Sequence, residues 1–309
     1  MTNIIRGIYN LKPAHQGCVI TIGNFDGVHL GHQALFAKMI QKAKEKQTAS
    51  LVMTFEPLTK EYFGRDKKVP RLTRWREKFH AISQSGIDHV FLMHFNQQIA
   101  ALSADDFIKD ILVKKLAIKH IIVGDDFHFG KGREGNFVSL KKAGEQYGFT
   151  VEAIPSLFVD DIRVSSTSVR EALANADHSL AEKLLGRPYT MQGKVVHGDK
   201  LGRRIGFPTA NIYLHRAVSP VLGVYIVRMR GVGDQALPGV ANVGIRPTIG
   251  GTRALLEVHL FNFNQNIYGK HISVEFIKKI RDEEHFANLD LLTEKIAQDA
   301  EIAREYFKI

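Results

Sequence analysis

The chain has 309 residues, 44% of them hydrophobic, and 42 Lys and Arg against 32 Asp and Glu leave a formal net charge of +10. That length allows two domains with separate cores, and the basic balance favours nucleotides, phosphorylated metabolites or nucleic acid, or else a solvated basic surface. With no apolar run of about 18 residues, no signal-peptide core, no like-charge block and no Arg-Gly repeat, neither a membrane nor nucleic acid is an expected partner, and a cytoplasmic address is expected.

Val19-Ile20-Thr21-Ile22, after a single Cys18 that reads as a small core residue, predicts a buried strand. A loop with three glycines and two histidines follows, then a helix from about Gln33 to Lys46; strand, tight loop and helix N-terminus are where an α/β sheet binds phosphate. Ser50–Phe55 predicts a second strand that stops at Glu56-Pro57. Thr73 caps a helix that Gly86 ends. His89–Phe95 predicts a third strand, Ser103 and Asp106 a capping box before a helix to about Leu116, and His120–Val123 a fourth strand running into the glycine-rich stretch Gly124–Gly135. A helix over Phe137–Tyr147 and a strand over Phe149–Ile154 complete an alternation that implies a doubly wound parallel α/β sheet covered on both faces. Asn175-Ala176-Asp177 is a hinge or cap before a short helix, Leu180–Leu185. Beyond Gly186 the texture changes to short strand-like runs, Tyr189–Val196, Gly223–Met229, Ala254–Phe261 and His271–Ile280, which suit an antiparallel barrel or sandwich. A last helix carries Leu292, Ile296, Ala300, Ala303 and Phe307 on one stripe. The expected domains are 1–184 and 185–309.

His29 and His32, three residues apart at a helix start, lie on one side and can both donate to phosphate oxygens, while Gly31 lets a nucleotide approach the backbone. A zinc site would need a third ligand nearby. The order matches neither a P-loop nor a Gly-x-Gly-x-x-Gly fingerprint. Ser165-Ser166-Thr167 offers hydroxyls and backbone N–H groups to phosphate, or a plain helix cap. In the second half, Gly193–Asn211 holds four glycines and several cations, which suits a phosphate cradle or a long basic hairpin loop. Thr209 and Asn211 supply oxygen donors suited to Mg²⁺ bound along with nucleotide. Glu257 shares its face with Leu255, His259 and Phe261, and is either a general base or an ordinary outward barrel residue.

The His-x-Gly-His signature resembles the nucleotidylyltransferase superfamily. Its longer form, Gly23-Asn24-Phe25-Asp26-Gly27-Val28-His29-Leu30-Gly31-His32, resembles the adenylyltransferase half of bacterial bifunctional riboflavin kinase/FAD synthetases. Thr54-Phe55-Glu56-Pro57, Arg71-Leu72-Thr73 with Glu77-Lys78, Gly124–Gly130 with Arg133 and Gly135, and Ser165–Arg170 follow in that family's order. Thr59 stands where a second proline is expected, and His128 where arginine is. The second half resembles the kinase domain through Leu185–Tyr189, Gly202-Arg203, Gly206–Asn211, Gly239–Thr248, Glu257-Val258-His259, Tyr268-Gly269-Lys270 and Ile280–Glu283.

The resemblance implies a Rossmann-like domain that adenylylates FMN to FAD and a six-stranded Greek-key barrel that phosphorylates riboflavin, both with ATP and with Mg²⁺ as the metal. It implies that His29 and His32 hold ATP phosphates, in a nucleotide site with Gly23, Phe25, Asp26, Gly31, Ser165, Ser166, Thr167 and Arg170. Asp126 and Phe129 line the flavin side, although alone they would read as a turn residue and a core aromatic. In the barrel, Glu257 takes the proton of the riboflavin 5′-hydroxyl. Gly206, Thr209 and Asn211 hold nucleotide, Thr209 and Asn211 stand near the metal, and Arg281 either positions flavin or is structural.

Overall fold

Short apolar runs build one parallel sheet from β1 (Asn3–Arg6), β2 (Val19–Ile22), β3 (Ser50–Glu56), β4 (His89–His94), β5 (His120–Gly124) and β6 (Thr150–Ile154). This is a computed structural model, and it describes residues 1–64, 68–198, 201–216, 218–248 and 251–309. The sheet order is β1-β4-β3-β2-β5-β6, so the chain winds one way from β2 through β3 to β4 and the other way from β5 to β6. The direction reverses between β2 and β5, and in open α/β sheets ligands bind outside the carboxyl ends of the strands at that point.

Alternation along the strands feeds two cores, one per sheet face. Ile20, Ile22, Leu51, Met53, Phe91 and Ile121 lie in one core, and Val19, Val52, Val90 and Ile122 in the other. The crossovers are α1 (Leu30–Glu45), α2 (Thr59–Phe63), α3 (Trp75–Gln84), α4 (Gln97–Ala101), α5 (Ala104–Asp106) with a π-type continuation over Phe107–Lys115, and α6 (Phe137–Tyr147). The helix expected from Ser103 to Leu116 is therefore α only in its first turn. Its cap is as expected, with Ser103 Oγ accepting from the Asp106 N–H at 3.0 Å. A two-stranded hairpin, β7 (Phe158–Val159) and β8 (Ile162–Arg163), follows β6.

After α7 (Ser166–Ala174) and α8 (His178–Leu185), the strands β9 (Thr190–Val196), β10 (Thr209–Tyr213), β11 (Gly223–Arg230), β12 (Leu237–Thr248), β13 (Gly251–Leu260) and β14 (His271–Arg281) close into an antiparallel barrel in the order β10-β13-β12-β11-β14-β9. A short helix, α9 (Leu201–Arg204), precedes β10. Three consecutive strands, β11 to β13, and a fourth that returns beside β11 form a Greek key. The terminal helix α10 (Leu289–Phe307) buries Ala300 and Ala303 in a core with Val224, Ile226 and Val240 of the barrel.

Five strands escape the sequence pattern: the two of the β7–β8 hairpin, only two residues each, and β1, β10 and β12. β1 is a four-residue edge strand that pairs, among the described residues, with β4 alone. β10 mixes Thr, Ala and Asn with two large residues, and β12 carries Pro238, Gly239 and Gly244, so neither shows clean alternation.

By internal contacts the chain falls into two units, Met1–Val69 with Trp75–Ser166, and Pro70–Arg74 with Thr167–Ile309. Compared with the expected 184/185 boundary, α7 from Thr167 onward and α8 are grouped with the barrel. His178 on α8 meets the Tyr225 ring of β11 edge-on at 5.3 Å.

Candidate functional site

Each unit has a constellation at its strand ends or on its strand faces. In the first unit the site is the loop from β2 to α1. Its backbone is held out of ordinary conformations: Phe25 and Val28, neither of them glycine, take φ 48° and 44°, and Gly27 takes 84°. Left-handed non-glycine residues cost about 1–3 kcal/mol each and persist where their surroundings over-determine them. The supports are explicit. Gly23 N–H donates to Met53 O at 3.1 Å, Thr54 Oγ1 to Asn24 O at 3.2 Å, Ser166 Oγ to Asp26 O at 2.8 Å and Gln33 Nε2 to Val28 O at 2.9 Å.

His29 is the N-cap residue of α1 in extended conformation, and His32 lies in the first turn. Their rings stack at 3.6 Å between centroids, tilted by 21°, and Phe25 meets His32 edge-on at 5.0 Å. The expected side-by-side placement of the imidazoles is present. A Cβ on Gly31 would stand 3.3 Å from the His29 ring, so glycine there keeps the stack uncrowded. Phe25 and Asp26 are buried, Asp26 to 2% exposure, so the loop offers ligands backbone more than these side chains. Among the described residues no three His, Cys, Asp or Glu side chains cluster to hold a metal.

Ser165 and Ser166 end the first unit, and Ser166 opens α7 and bonds the loop through Asp26 O. Thr167 and Arg170 fall in the second unit, where Arg170 Nε donates to Pro70 O at 2.7 Å.

The glycine-rich loop after β5 leaves the sheet next to β2, at the reversal of strand order. Asp126 is exposed and paired with Arg163 of β8, whose Nη2 donates to Asp126 Oδ2 at 2.8 Å. The same guanidinium donates through Nε to Ser156 Oγ at 2.9 Å. Asp125 accepts from Ser156 N–H at 2.9 Å, and that backbone bond, first among its influences, holds its carboxyl below the usual range despite the opposing effect of burial. Phe129 is buried among Phe107 and Phe127, with ring centroids 5.7 and 5.6 Å away. Arg163 is a residue that sequence reasoning missed, since its partners lie 7 and 37 positions away.

In the second unit, strand register assembles the other set. Asn211 of β10 stands opposite Glu257 of β13, and Glu257 opposite Asn242 of β12. Thr209 stands opposite His259. Directly opposed residues share a face, as do residues two apart on one strand, so these five side chains lie on one face in two adjacent rows, Asn211–Glu257–Asn242 and Thr209–His259. Inward neighbours Leu256, Val258 and Ile212 are buried, which puts both rows on the outer face of the barrel wall. Asn211 is 8% exposed, and its Nδ2 lies 3.4 Å from Thr209 Oγ1. A Cβ on Gly198 would come within 2.6 Å of the Asn211 amide. His259 Nδ1 donates to Pro208 O at 3.0 Å; burial pushes this imidazole below its usual range and outweighs that bond.

Gly206, with φ 86°, ends the turn after α9. Asp199 and Lys200 of the expected cradle lie outside the described residues. Asn242, absent from the expected site, is the residue that register adds: its Oδ1 is buried without a hydrogen-bond partner among the described residues, and its Nδ2 lies 3.5 Å from Glu283 Oε1.

Arg281 is held at the end of β14 by partners in its own unit. Its Nε and Nη2 grip Asp299 of α10 at 3.0 and 2.7 Å, and Nη1 donates to Asp282 O at 3.0 Å. Asp299 is 3% exposed. These bonds clamp the end of β14 to the terminal helix. Cys18 is fully buried, and burial pushes its thiol up to about 12, as a core residue requires.

Comparisons with known proteins cover both units. The family described as FAD synthetase matches residues 11–168, and the family described as riboflavin kinase matches residues 185–307. The bifunctional riboflavin kinase/FMN adenylyltransferase of Escherichia coli K12 is 52% identical over 98% of this chain and 97% of its own. The protein of the same name from Haemophilus influenzae is 49% identical over 98% and 99%. A crystal structure from Streptococcus pneumoniae, named as a macrolide-efflux protein, is 31% identical with a TM-score of 0.80 over 98% of both chains. Among the described residues of this chain, no helix is long and apolar enough to cross a membrane.

Proposed function

This chain belongs to the bifunctional riboflavin kinase/FMN adenylyltransferase family, and from that premise we propose how its own residues divide two ATP-dependent reactions. Residues 185–309 carry riboflavin kinase and make FMN; residues 1–184 carry FMN adenylyltransferase and make FAD with release of pyrophosphate. A cytoplasmic address goes with this, since both reactions draw on ATP.

In adenylyl transfer the nucleophile, the FMN phosphate, is already an anion and needs no general base. Alignment and charge neutralisation suffice. His29 and His32 hold ATP phosphates at the start of α1, where the backbone N–H groups and helix dipole favour negative charge. Gly23, Phe25, Asp26 and Gly31 shape the backbone cradle, Ser165, Ser166 and Thr167 add donors at the start of α7, and Arg170 adds fixed positive charge. Flavin lies towards Asp126 and Phe129, with Arg163 holding the Asp126 carboxylate.

In the kinase the nucleophile is a neutral alcohol, so a base is useful, and Glu257 takes the proton of the 5′-hydroxyl. Gly206, Thr209 and Asn211 face the nucleotide. Thr209 Oγ1 and the Asn211 side-chain oxygen are hard, neutral donors beside a carboxylate, a set that fits Mg²⁺ completing its shell with substrate phosphates and water. When bound there, Mg²⁺ would neutralise charge on the transferring phosphoryl group. Arg281, anchored to α10 through Asp299 at the end of β14, helps to position flavin.

The observation that supports this division best is that each unit has its own constellation: a stacked histidine pair at a helix start in one, a carboxylate among oxygen donors on a barrel wall in the other. Incubating the protein with riboflavin, ATP and Mg²⁺ and separating the flavins by chromatography tests it. FMN followed by FAD, with pyrophosphate matching FAD, is expected. A protein that forms neither flavin, or stops at FMN, overturns it.

A further inference from the structure

Thr59 occupies a position where the resemblance expects proline, and the structure shows this threonine holding the nucleotide loop. Thr59 is the first residue of α2, and Leu58 before it is extended, with φ −60° and ψ 144°. Proline is tolerated at such a helix start, because the N–H there has no partner within the helix, and the residue before proline prefers extended conformation. Threonine keeps that N–H, and here it donates to Asn24 Oδ1 at 3.1 Å. In return Asn24 Nδ2 donates to Thr59 Oγ1 at 2.8 Å. Both ends of the Asn24 amide are thereby engaged by one residue, 35 positions away.

Asn24 directly precedes Phe25, the first left-handed residue of the loop. The far side of the loop is tied down by Ser166 and Gln33. The near side is tied by Thr54, which bonds the Asn24 carbonyl, and by Thr59, which fixes the side chain. We propose that Thr59 is a positioning residue for FMN adenylylation: it clasps the Asn24 amide and so sets the path of the loop into the Phe25–His29 phosphate cradle. It touches no substrate and acts through Asn24. The proposal rests on the reading that this loop holds the ATP being attacked. A reaction run by alignment is sensitive to the position of its cradle.

The test is steady-state kinetics of both activities in the full chain, with the kinase as internal control. Thr59→Ser keeps both bonds and should stay within about twofold of the parent in FAD formation, Thr59→Val loses the hydroxyl bond, and Thr59→Pro loses both. Thr59→Pro should lower kcat/KM for FAD formation about tenfold, the scale of two lost hydrogen bonds. Riboflavin phosphorylation should not change. Asn24→Ala should do comparable damage, and adding Thr59→Val to Asn24→Ala should cost nothing further, because the clasp is already gone. Parent-like FAD formation by Thr59→Pro overturns the proposal. So do additive losses in the double variant, the decisive result if Thr59→Pro lowers both activities together by harming the fold. A parent protein that makes no FAD would instead refute the reading of the loop, so the two failures are distinguishable.

Discussion

His29 and His32 stand as a pair because helix geometry places residues three apart on one side, and the 3.6 Å stack is the result. Glu257 is placed differently: its neighbours Asn211 and Asn242 come from other strands, and only register brings them beside it. Two variants should therefore fail in opposite ways. Changing both His29 and His32 to Ala should abolish FAD formation while FMN accumulates. Glu257→Ala should lower riboflavin phosphorylation by about 10²–10⁴-fold, the range for a general base, and leave adenylylation of supplied FMN intact. Chromatography of the flavins formed from riboflavin and from FMN measures both, and equal loss of both activities in a folded variant argues against separate sites. At this scale, residues within one contiguous motif were legible, since spacing and backbone are local. Arg163, Thr59 and Asn242 were not, because each acquires its partner across a long span of chain.

At the scale of elements, α8 shows how a helix start becomes a packing device. Asp177 caps it, its carboxylate accepting from Leu180 N–H at 2.9 Å, so the cap alternative for Asn175–Asp177 holds. His178, the next residue, is buried against Tyr225, and neither ring nitrogen has a hydrogen-bond partner among the described residues. Burial pushes its pKa below 6.5; Asp177 opposes and Lys279 assists. The folded state therefore resists a proton that the unfolded chain accepts. Below about pH 6.5 the unfolded state binds more protons, and stability falls as pH falls through that value and towards the lower folded one. Thermal unfolding followed from about pH 7 to about pH 5.5 should show a shallower loss for His178→Phe than for the parent. An unchanged slope would show that His178 does not contribute; part of the slope should remain in any case, because burial also lowers His15, His89, His120 and His259. Elements with a strong period or cap, such as α6 over Phe137–Tyr147 and β2 over Val19–Ile22, coincide with the sequence expectation. β1, β10 and β12 do not, because short or glycine-broken strands are set by the partners they pair with.

Over the whole molecule, the chain leaves its first unit after Val69 and returns at Trp75, and Pro70–Arg74 packs with the barrel-bearing unit. Arg216, 5% exposed, organises that stretch: its Nη1 donates to Arg71 O at 3.0 Å, Leu72 O at 3.2 Å and Tyr189 Oη at 2.8 Å. Tyr189 Oη in turn donates to Leu72 O at 3.1 Å. Arg216→Leu strips charged donors from buried carbonyls and should destabilise the protein by about 3 kcal/mol, measured by urea unfolding of the full chain. A loss under about 1 kcal/mol would mean that the segment is held by other contacts. By itself the sequence determined the two fold classes, the histidine pair, the oxygen donors of the barrel and the position of Glu257, all written in local period, spacing and motif. Tertiary structure alone decided four things. The loops after β2 and β5 leave neighbouring strands at the reversal of strand order. Asn242 stands opposite Glu257, Thr59 clasps Asn24, and the Arg71-Leu72-Thr73 stretch is held by Arg216. The physical reason is common to them: strand order and register join residues far apart in the chain, and no local pattern encodes which distant partner a side chain will meet.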